Sequence, residues 1–384
     1  MCEVARPKAS LMPTPQAEFA ALKRTLHDLH FDRRPTIRFL LQWFAWLLIG
    51  FGALAAFIQI ESPWLRAPVL LLSCFGFLGV ATAAHTASHE AASEQRWINA
   101  FVFYVSYPLV LMISARYWHK SHVQTHHIHP NTVGVDPDCD LAPWFALNQR
   151  DVEHASGFRR AYYRFQYLLL PLVLPLNGFN MQRQTWLHIA SELGDRRRRS
   201  PATYVDLACL LLHLAAWLVL PCLFFPVTHV LGLYVLRMSV MGVGLFAILA
   251  PGHYPADAVY LLPGERRDFC TRQAIATVNF RTGPIGHLLC SGLEYQLEHH
   301  LFPHISHVHY ARLSPLVREF CGRAGLPYRE MSWGEAIWQS YQTFISPKPV
   351  FATVEATRMG RPYERPAEVD DEGPALAVAP SLEG

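Results

Sequence analysis

With 384 residues, of which 51% are hydrophobic and 16% charged, the chain is longer and more apolar than a single soluble domain usually is. Its net charge of +3 is small and its basic residues are interspersed, which excludes a typical nucleic-acid-binding surface. None of the eight cysteines forms a C-x-x-C pair, so we interpret them as reduced thiols. An integral membrane protein is therefore the first class to test.

The two ends of the chain are polar. Residues 1–36 contain no apolar core of a signal peptide, so we expect a cytosolic leader. Apolar residues at helical spacing between Phe19 and Leu29 indicate an amphipathic helix at the membrane interface, and a solvated leader explains the same pattern. Residues 354–384 are poor in aromatic residues, which predicts a disordered tail after a membrane domain at residues 37–353.

Four segments of that domain are apolar and long enough to cross about 30 Å of hydrocarbon. They are residues 37–60, 64–84, 207–225 and 230–250. Short breaks within each pair predict an all-α membrane protein with two hairpins of transmembrane helices. Arg237 lies well inside the fourth segment, where a charge is costly, and the sequence identifies no partner for it.

Two further apolar segments are too short or too interrupted to cross. Trp97–Ser114 is broken in its second half by polar residues and a proline, and Tyr167–Gly178 contains two prolines. If the first of them crossed, the histidine clusters before and after it would lie on opposite faces of the membrane. We therefore expect both segments to form re-entrant or interfacial helices.

Loop charges predict the orientation. Three arginines between residues 33 and 38 precede the first crossing and a basic block at residues 196–199 precedes the third, whereas the two opposite loops hold only Arg66. By the positive-inside rule, both termini and all the histidine clusters are expected on the cytosolic side. Residues 253–347 then read as a cytosolic helical cap that holds a di-metal site.

Histidines at helical spacing form three clusters. They are His85 and His89, then His122, His126 and His127, and finally Gln296, His299 and His300. Because residues four apart share one face of a helix, we expect His122 and His126 to reach one point and His127 a second point beside it. This arrangement suits two neighbouring metal ions, and imidazole ligands are compatible with iron, zinc, copper and nickel.

Carboxylates near the clusters are placed to accept hydrogen bonds from the outer N–H groups of ligand imidazoles. They are Asp136, Asp138, Asp140 and Glu298. For Asp136 a turn set by the Asp-Pro pair is an equally good explanation. The first cluster reads HTASH rather than the zinc-peptidase H-E-x-x-H, and neither a Gly-rich phosphate loop nor a G-x-S-x-G turn occurs.

The clusters resemble the three histidine boxes of the integral-membrane fatty acid desaturases. The resemblance rests on HTASH, on YWHKSHVQTHHIHPN with DPDCDLAPW, and on NFRTG followed by EYQLEHHLFPHI, and it covers about residues 64–341. The Gln that heads the third box resembles the front-end group and its bacterial acyl-lipid relatives. Thr86 stands where Asp is common, and the second box has three residues between its first two histidines where two are usual.

The resemblance implies a centre of two iron ions that activates O2 to remove two hydrogens from a fatty acyl chain, forming a cis double bond. The implied ligands are His85, His89, His122, His126, His127, His299 and His300, with Gln296 beside or on the metals. His253, in APGHYP, resembles a further histidine that the family places after the fourth crossing. A hydroxylase or acetylenase on the same scaffold is an open alternative, because the outcome depends on substrate placement.

The resemblance also implies partners. The acyl substrate would be carried by a phospholipid, by CoA or by an acyl-carrier protein. No HPGG haem motif of a fused cytochrome b5 domain occurs, so electrons are expected from a separate donor, a ferredoxin or a cytochrome b5 with its reductase. A non-catalytic metal carrier is a distant alternative, since such a protein should hold ligands inside its crossings, where this chain offers little beyond His213 and Arg237.

Overall fold

The structure is a computed structural model that describes residues 14–264 and 268–362. The first 13 residues of the predicted leader and the predicted tail beyond residue 362 lie outside the described residues. The first helix, α1 (Pro15–Asp28), begins where Thr14 accepts a hydrogen bond from the Ala17 amide, and Pro15 occupies its first position. Both features are typical of helix starts.

Four helical stretches are long and apolar enough to cross a membrane, in agreement with the four predicted crossings. They are Thr36–Gln59, Pro63–Ser88, Pro201–Leu223 and Val227–Gly252. The third begins six residues earlier than predicted. Ser200 caps its first turn and forms a capping box with Thr203, and Pro201 occupies the first position. Helices α2 (Thr36–Gln59) and α3 (Pro63–Ser88) touch backbone to backbone, since a Cβ on Gly76 would lie 2.3 Å from the Gly50 nitrogen.

The predicted re-entrant segment is a sharply bent pair of helices. Helix α4 (Arg96–Tyr104) continues as a π-helix over Val105–Leu111, and Met112 then adopts a left-handed conformation with φ +60°. The chain resumes in α5 (Ala115–Trp118), which runs into a second π-helix, and the two halves meet at 111°. Such a bend is the geometry of a broken span or a re-entrant loop.

Polar side chains of the third and fourth apolar helices contact this break, which gives Arg237 the partner that the sequence did not identify. The Arg237 guanidinium donates to the carbonyl of Val110 and lies 3.7 Å from the centre of the Trp217 ring. His213 Nδ1 lies 2.9 Å from the Leu109 carbonyl oxygen. Both carbonyls belong to the last turn before the bend, so the two side chains stabilise backbone that the broken helix leaves unpaired.

The other helices follow in chain order. They are α6 (Gln149–His154), α7 (Gly157–Tyr163), α8 (Gln166–Val173), α9 (Asn177–Gly194), α10 (Pro201–Leu214), α11 (Val227–Leu249), α12 (Phe269–Ala276), α13 (Pro284–Cys290), α14 (Gln296–Leu301), α15 (Tyr310–Ala324), α16 (Trp333–Ile345) and α17 (Val354–Arg358). Helices α10 and α11 make up most of the third and fourth apolar stretches. Strands β1 (Tyr260–Leu261) and β4 (Val350–Phe351) pair in parallel, as do β2 (Asn279–Arg281) and β3 (Glu330–Ser332). The prediction of a purely helical chain therefore missed two short strand pairs.

Both ends of the described chain depart from the predicted domain limits. The helix in the leader is confirmed, but its apolar face is buried on protein: the Phe19 ring lies 5.3 Å from that of Phe302, and Arg323 pairs with Glu18 at 2.7 Å. At the other end α17 lies within the segment predicted to be disordered. The amphipathic pattern predicted a buried face correctly, but could not distinguish a lipid partner from a protein partner.

Candidate metal centre

The predicted histidines come from four parts of the fold. His85 lies in the last turn of α3, His89 follows it, and the second cluster lies on the π-helix His119–His126 and the residue after it. His253 follows a short 3-10 turn that extends α11, and His299 and His300 lie on α14. The ends of two long apolar helices are thus brought to the same place as the two box helices.

The structure assembles the eight histidines into two buried groups, and within each group the candidate ligand atoms lie within 4.8 Å of one another. The first group is His85, His89, His122, His127 and His299, and the second is His126, His253 and His300. A third set, His122, His126 and Asp138, overlaps both. The two main groups together contain every histidine that the resemblance implied as a ligand.

The π-helix of the second box joins His122 to His127 in a main group, while the predicted pair of His122 and His126 is retained in the set with Asp138. The His127 amide donates to the His122 carbonyl at 3.1 Å, a bond between residues five apart. In this wider turn His122 and His127 reach the same group, whereas His126 faces the other. The prediction assumed an α-helix, in which His122 and His126 would have shared one point.

The chemistry of the donor set fits metal ions. His85 Nε2 lies 2.7 Å from His122 Nε2, and His253 Nε2 lies 3.2 Å from His300 Nε2. Within the described chain, four buried ring nitrogens of the first group have no hydrogen-bond partner. They are His89 Nε2, His122 Nδ1, His127 Nδ1 and His299 Nε2. Buried polar atoms without a partner are costly, and coordination to a transition metal would satisfy His89 Nε2 and His299 Nε2. His122 and His127 would bind through their Nε2 atoms, which lie 3.2 Å apart.

Burial sets the protonation of most of the site. It lowers the pKa of His122, His127 and His299 well below the ordinary value, which leaves the neutral imidazoles that bind metals. For His126 burial also lowers the pKa, but the carboxylates of Asp136 and Asp138 outweigh it and raise the pKa to about 9. A metal in the second group would therefore displace a proton from His126 at neutral pH.

Asp136 occupies the position predicted for it. Its fully buried Oδ2 accepts hydrogen bonds from His126 Nδ1 at 2.9 Å and from the Asn131 amide at 2.8 Å. Asp138 is half exposed, with its carboxylate 3.5 Å from His126 Nδ1 and 3.9 Å from His122 Nδ1. Asp136 thus fixes the orientation of His126, and Asp138 adds negative charge from the solvent side.

The other two predicted carboxylates do not contact an imidazole. Asp140 is exposed, and no hydrogen bond or ion pair joins it to a histidine of the described chain. Glu298 is buried but accepts from the Tyr328 hydroxyl and from Asn279 Nδ2, both at 2.7 Å. Neighbouring residues on α14 point in different directions, so Glu298 faces the cap while His299 and His300 face the centre.

The sequence reasoning missed the partners that α12 supplies. Gln273 Oε1 lies 2.9 Å from His300 Nδ1, and its amide nitrogen donates to the His127 carbonyl at 2.9 Å. The Ala276 carbonyl accepts from His253 Nδ1 at 3.1 Å. Neither partner has a distinctive sequence signal, because Gln273 lies outside the three boxes and a backbone carbonyl carries no side-chain information.

Gln296 is buried at the start of α14, beside the second group. A Cβ on Gly252 would lie 2.5 Å from Gln296 Cγ, so this glutamine packs directly against the residue before His253. Its position beside the histidines agrees with the expectation that it lies near the metals. Its role as a ligand stays a prediction.

The chain is similar to "Delta(8)-fatty-acid desaturase 2" of Arabidopsis thaliana (26% identity over 75% of this chain and 64% of that protein), so it spans slightly less than two thirds of that relative. It is also similar to human "Fatty acid desaturase 3" (28%, over 81% and 68%) and to the "sn-1 linoleoyl-lipid 6-desaturase" of Arthrospira platensis (26%, over 74% and 76%). The profile described as "Fatty acid desaturase" matches residues 61–332. This chain belongs to the fatty acid desaturase family.

Proposed function

We propose that this chain is an O2-dependent desaturase that introduces a cis double bond into a fatty acyl chain at a centre of two iron ions. The observation that carries the proposal is the convergence of eight buried histidines into two adjacent groups. The named relatives, which are desaturases from a plant, an animal and a cyanobacterium, support the acyl substrate. Imidazole accepts iron, zinc, copper and nickel alike, so the choice of iron rests on membership of the desaturase family.

Each histidine group would hold one iron ion, with Gln296 as a further candidate ligand. Two bound iron ions would supply the O2 activation that removes two hydrogens from the substrate. The protein's part is to hold the imidazoles in fixed orientations, through Asp136, Gln273 and the Ala276 carbonyl, and to keep the centre buried. Burial excludes water from the centre and so prevents side reactions with solvent.

A narrow apolar cavity adjoins the first histidine group and is our candidate for the acyl site. Its lining includes His85, Tyr107, Leu111, Met181, Leu245 and Leu249. Its volume of about 10 Å³ is room for a single water molecule, so side chains must move aside when an acyl chain binds. An apolar tunnel is needed because a methylene chain offers no polar handle for positioning.

A larger cavity of about 350 Å³ lies at the end of α3, where Ala87 and Ser88 belong to its lining. Its charged lining includes Glu90, Arg96, Arg116 and Lys120, with Arg116 paired to Glu192 at 2.6 Å. We propose that it holds the polar end of the substrate, whether a phospholipid, a CoA or an acyl-carrier group. The reacting carbons would then be measured from the carboxyl side of the chain.

We propose four crossings in two hairpins, with both termini and the metal centre in the cytosol. His85 at the end of the second apolar helix and His253 just after the fourth lie in two groups that are in contact, since the rings of His127 and His300 are 4.4 Å apart. This supports the same side of the membrane for those two helix ends. A re-entrant rather than a crossing segment between the first and second boxes is supported by His89 and His122, which lie on either side of the bend and share one group. Electrons would come from a separate ferredoxin or cytochrome b5 with its reductase.

The decisive experiment combines lipid analysis with metal analysis. The chain is expressed in a host fed saturated fatty acids of different lengths, and double bonds are located by mass spectrometry of derivatised fatty acids. Iron per chain is measured on the purified protein. His299→Ala is the test variant and His154→Ala, at an exposed position far from the two groups, is the matched control.

The expected result is two irons per chain and a cis double bond at a constant distance from the carboxyl carbon. The His299→Ala variant should insert normally, lose iron and make no product, while His154→Ala behaves like the wild type. A hydroxylated product would instead identify a hydroxylase on the same scaffold. Zinc in place of iron, with no modified lipid, would refute the enzymatic proposal in favour of a metal-binding protein.

A further inference from the structure

A buried lysine outside the region matched by the family contacts the backbone around His253. Lys348 follows α16, and its side chain is only 6% exposed. Its ammonium nitrogen lies 3.1 Å from the carbonyl oxygens of His253 and Pro255 and 2.5 Å from that of Ala258. A protonated lysine has three N–H donors, so the three carbonyls match its full donor set.

This arrangement is not an ion pair. No acidic side chain of the described residues lies within 4 Å of the Lys348 ammonium, which instead sits 4.0 Å from the centre of the Tyr260 ring. Burial lowers the pKa of this amine well below its ordinary value. Burying a lysine without a carboxylate partner costs free energy. In return, three carbonyl groups of the loop that begins at His253 gain a hydrogen-bond donor.

The same loop is held from a second direction. Asn131 Nδ2 donates to the His253 carbonyl at 3.0 Å and to the Ala276 carbonyl at 3.2 Å. The backbone amide of Asn131 in turn donates to Asp136, which orients His126. The main chain of His253 is therefore fixed by Lys348 and Asn131, while its imidazole is fixed by the Ala276 carbonyl.

We propose that Lys348 is a positioning residue for the second histidine group, holding His253 at the distance from His126 and His300 that a metal ion requires. The inference rests on the proposed metal centre. It also extends that centre beyond residues 61–332, the part of the chain that the family profile covers. The segment after α16 thus helps to position the second histidine group.

Lys348→Met is the informative variant. Methionine has a similar length and tolerates burial, but donates no hydrogen bond. The backbone of Lys348 is anchored independently, since its amide donates to the Leu147 carbonyl at 2.9 Å and its carbonyl accepts from the Gln149 amide at 2.8 Å. Val350→Ala is the matched control, because Val350 is buried in the same segment and contacts neither His253 nor its loop through a hydrogen bond.

The measurement is an anaerobic titration of metal-free full-length protein with Fe(II), followed by iron analysis after gel filtration, with kcat and KM measured on the loaded protein. We expect Lys348→Met to bind one iron with wild-type affinity and the other about tenfold more weakly, with kcat reduced and KM for the acyl substrate unchanged. Val350→Ala should bind both irons normally, even where it lowers the melting temperature.

Two results would overturn the inference. One is Lys348→Met binding two irons with wild-type affinities. The other is Val350→Ala losing iron in the same proportion as Lys348→Met, which would mean that general packing of the segment matters and the three hydrogen bonds do not. Failure of the proposed function is a separate outcome, in which the wild type itself binds no iron and makes no unsaturated product. The inference alone fails when the wild type is active and Lys348→Met behaves like it.

Discussion

Replacing Asp136 with asparagine tests whether the buried carboxylate controls the second histidine group. In the wild type, Oδ2 of Asp136 accepts from both His126 Nδ1 and the Asn131 amide, and Oδ1 accepts from the Asp138 amide at 3.0 Å. An asparagine has one acceptor oxygen. If this oxygen accepts from His126 and Asn131, the NH2 group of the asparagine faces the Asp138 amide, and two donors then oppose each other.

The expected magnitude follows from these contacts. At least one buried hydrogen bond is lost, which costs about 1–3 kcal/mol when a donor is left without a partner. The His126 imidazole also loses the charged acceptor that orients it, and changes of this kind weaken metal binding or activity by about 10- to 100-fold. We therefore expect Asp136→Asn to bind one of the two irons about 10- to 100-fold more weakly than the wild type.

Asp140→Asn is the matched control, because this carboxylate lies in the same loop, is exposed and contacts no histidine of the described chain. Both variants are titrated with Fe(II) under anaerobic conditions, and turnover is measured on the acyl substrate. Wild-type affinity and turnover in Asp136→Asn would refute the reasoning. So would an equal loss in Asp140→Asn, since that would indicate a general effect of loop charge.

Three further predictions concern other parts of the molecule. Gln296→His should retain more activity and iron than Gln296→Ala, because imidazole can replace an amide as a metal ligand and a methyl cannot; equal losses on iron analysis would contradict this. Arg237→Met should destabilise the fold by about 1–3 kcal/mol, because the Val110 carbonyl loses its donor, and a wild-type melting temperature in detergent would contradict it. A cysteine introduced between residues 140 and 151 should react with an impermeant reagent only from the cytosolic side, and labelling from outside alone would overturn the topology.

The identity of the clustered histidines was predictable from the sequence because spacing and composition carry it. An apolar stretch of about twenty residues predicts a crossing, and polar or imidazole residues just past its end predict a site at the membrane face. His85 illustrates this, since it follows such a stretch and lies in the first group, whereas His253 was indicated only by the family resemblance. The family resemblance supplied the remaining step from metal-binding pattern to expected chemistry.

The division of the histidines between two groups was not predictable in the same way. His122, His126 and His127 have a spacing that fits an α-helix, and the prediction used that helix. The π-helix over His119–His126 inserts an extra residue in the turn, which exchanges the partners of His126 and His127. A π-helix depends on contacts with residues from other parts of the fold. The sequence of the segment itself therefore does not predict it.

The outer partners of the imidazoles were predictable only where they are close in sequence. Asp136 lies ten residues from His126, within one loop, and the prediction placed it correctly. Gln273 and Lys348 come from distant segments and meet His300 and the His253 loop only in the folded chain. Glu298 shows the opposite error, since proximity in sequence suggested a contact that the geometry of α14 prevents.

The metal centre and the fold depend on each other. Its histidines end two long apolar helices, lie on a π-helix and on α14, and depend on α12 and the segment after α16 for their orientation. An unfolded chain cannot hold these segments together, so the free energy of metal binding adds to the stability of the folded protein. Buried ring nitrogens that lack a hydrogen-bond partner within the described chain lower the stability of the metal-free protein. On the proposed function, iron occupancy would therefore measure how accurately α12, α14 and the segment after α16 are assembled on the long apolar helices.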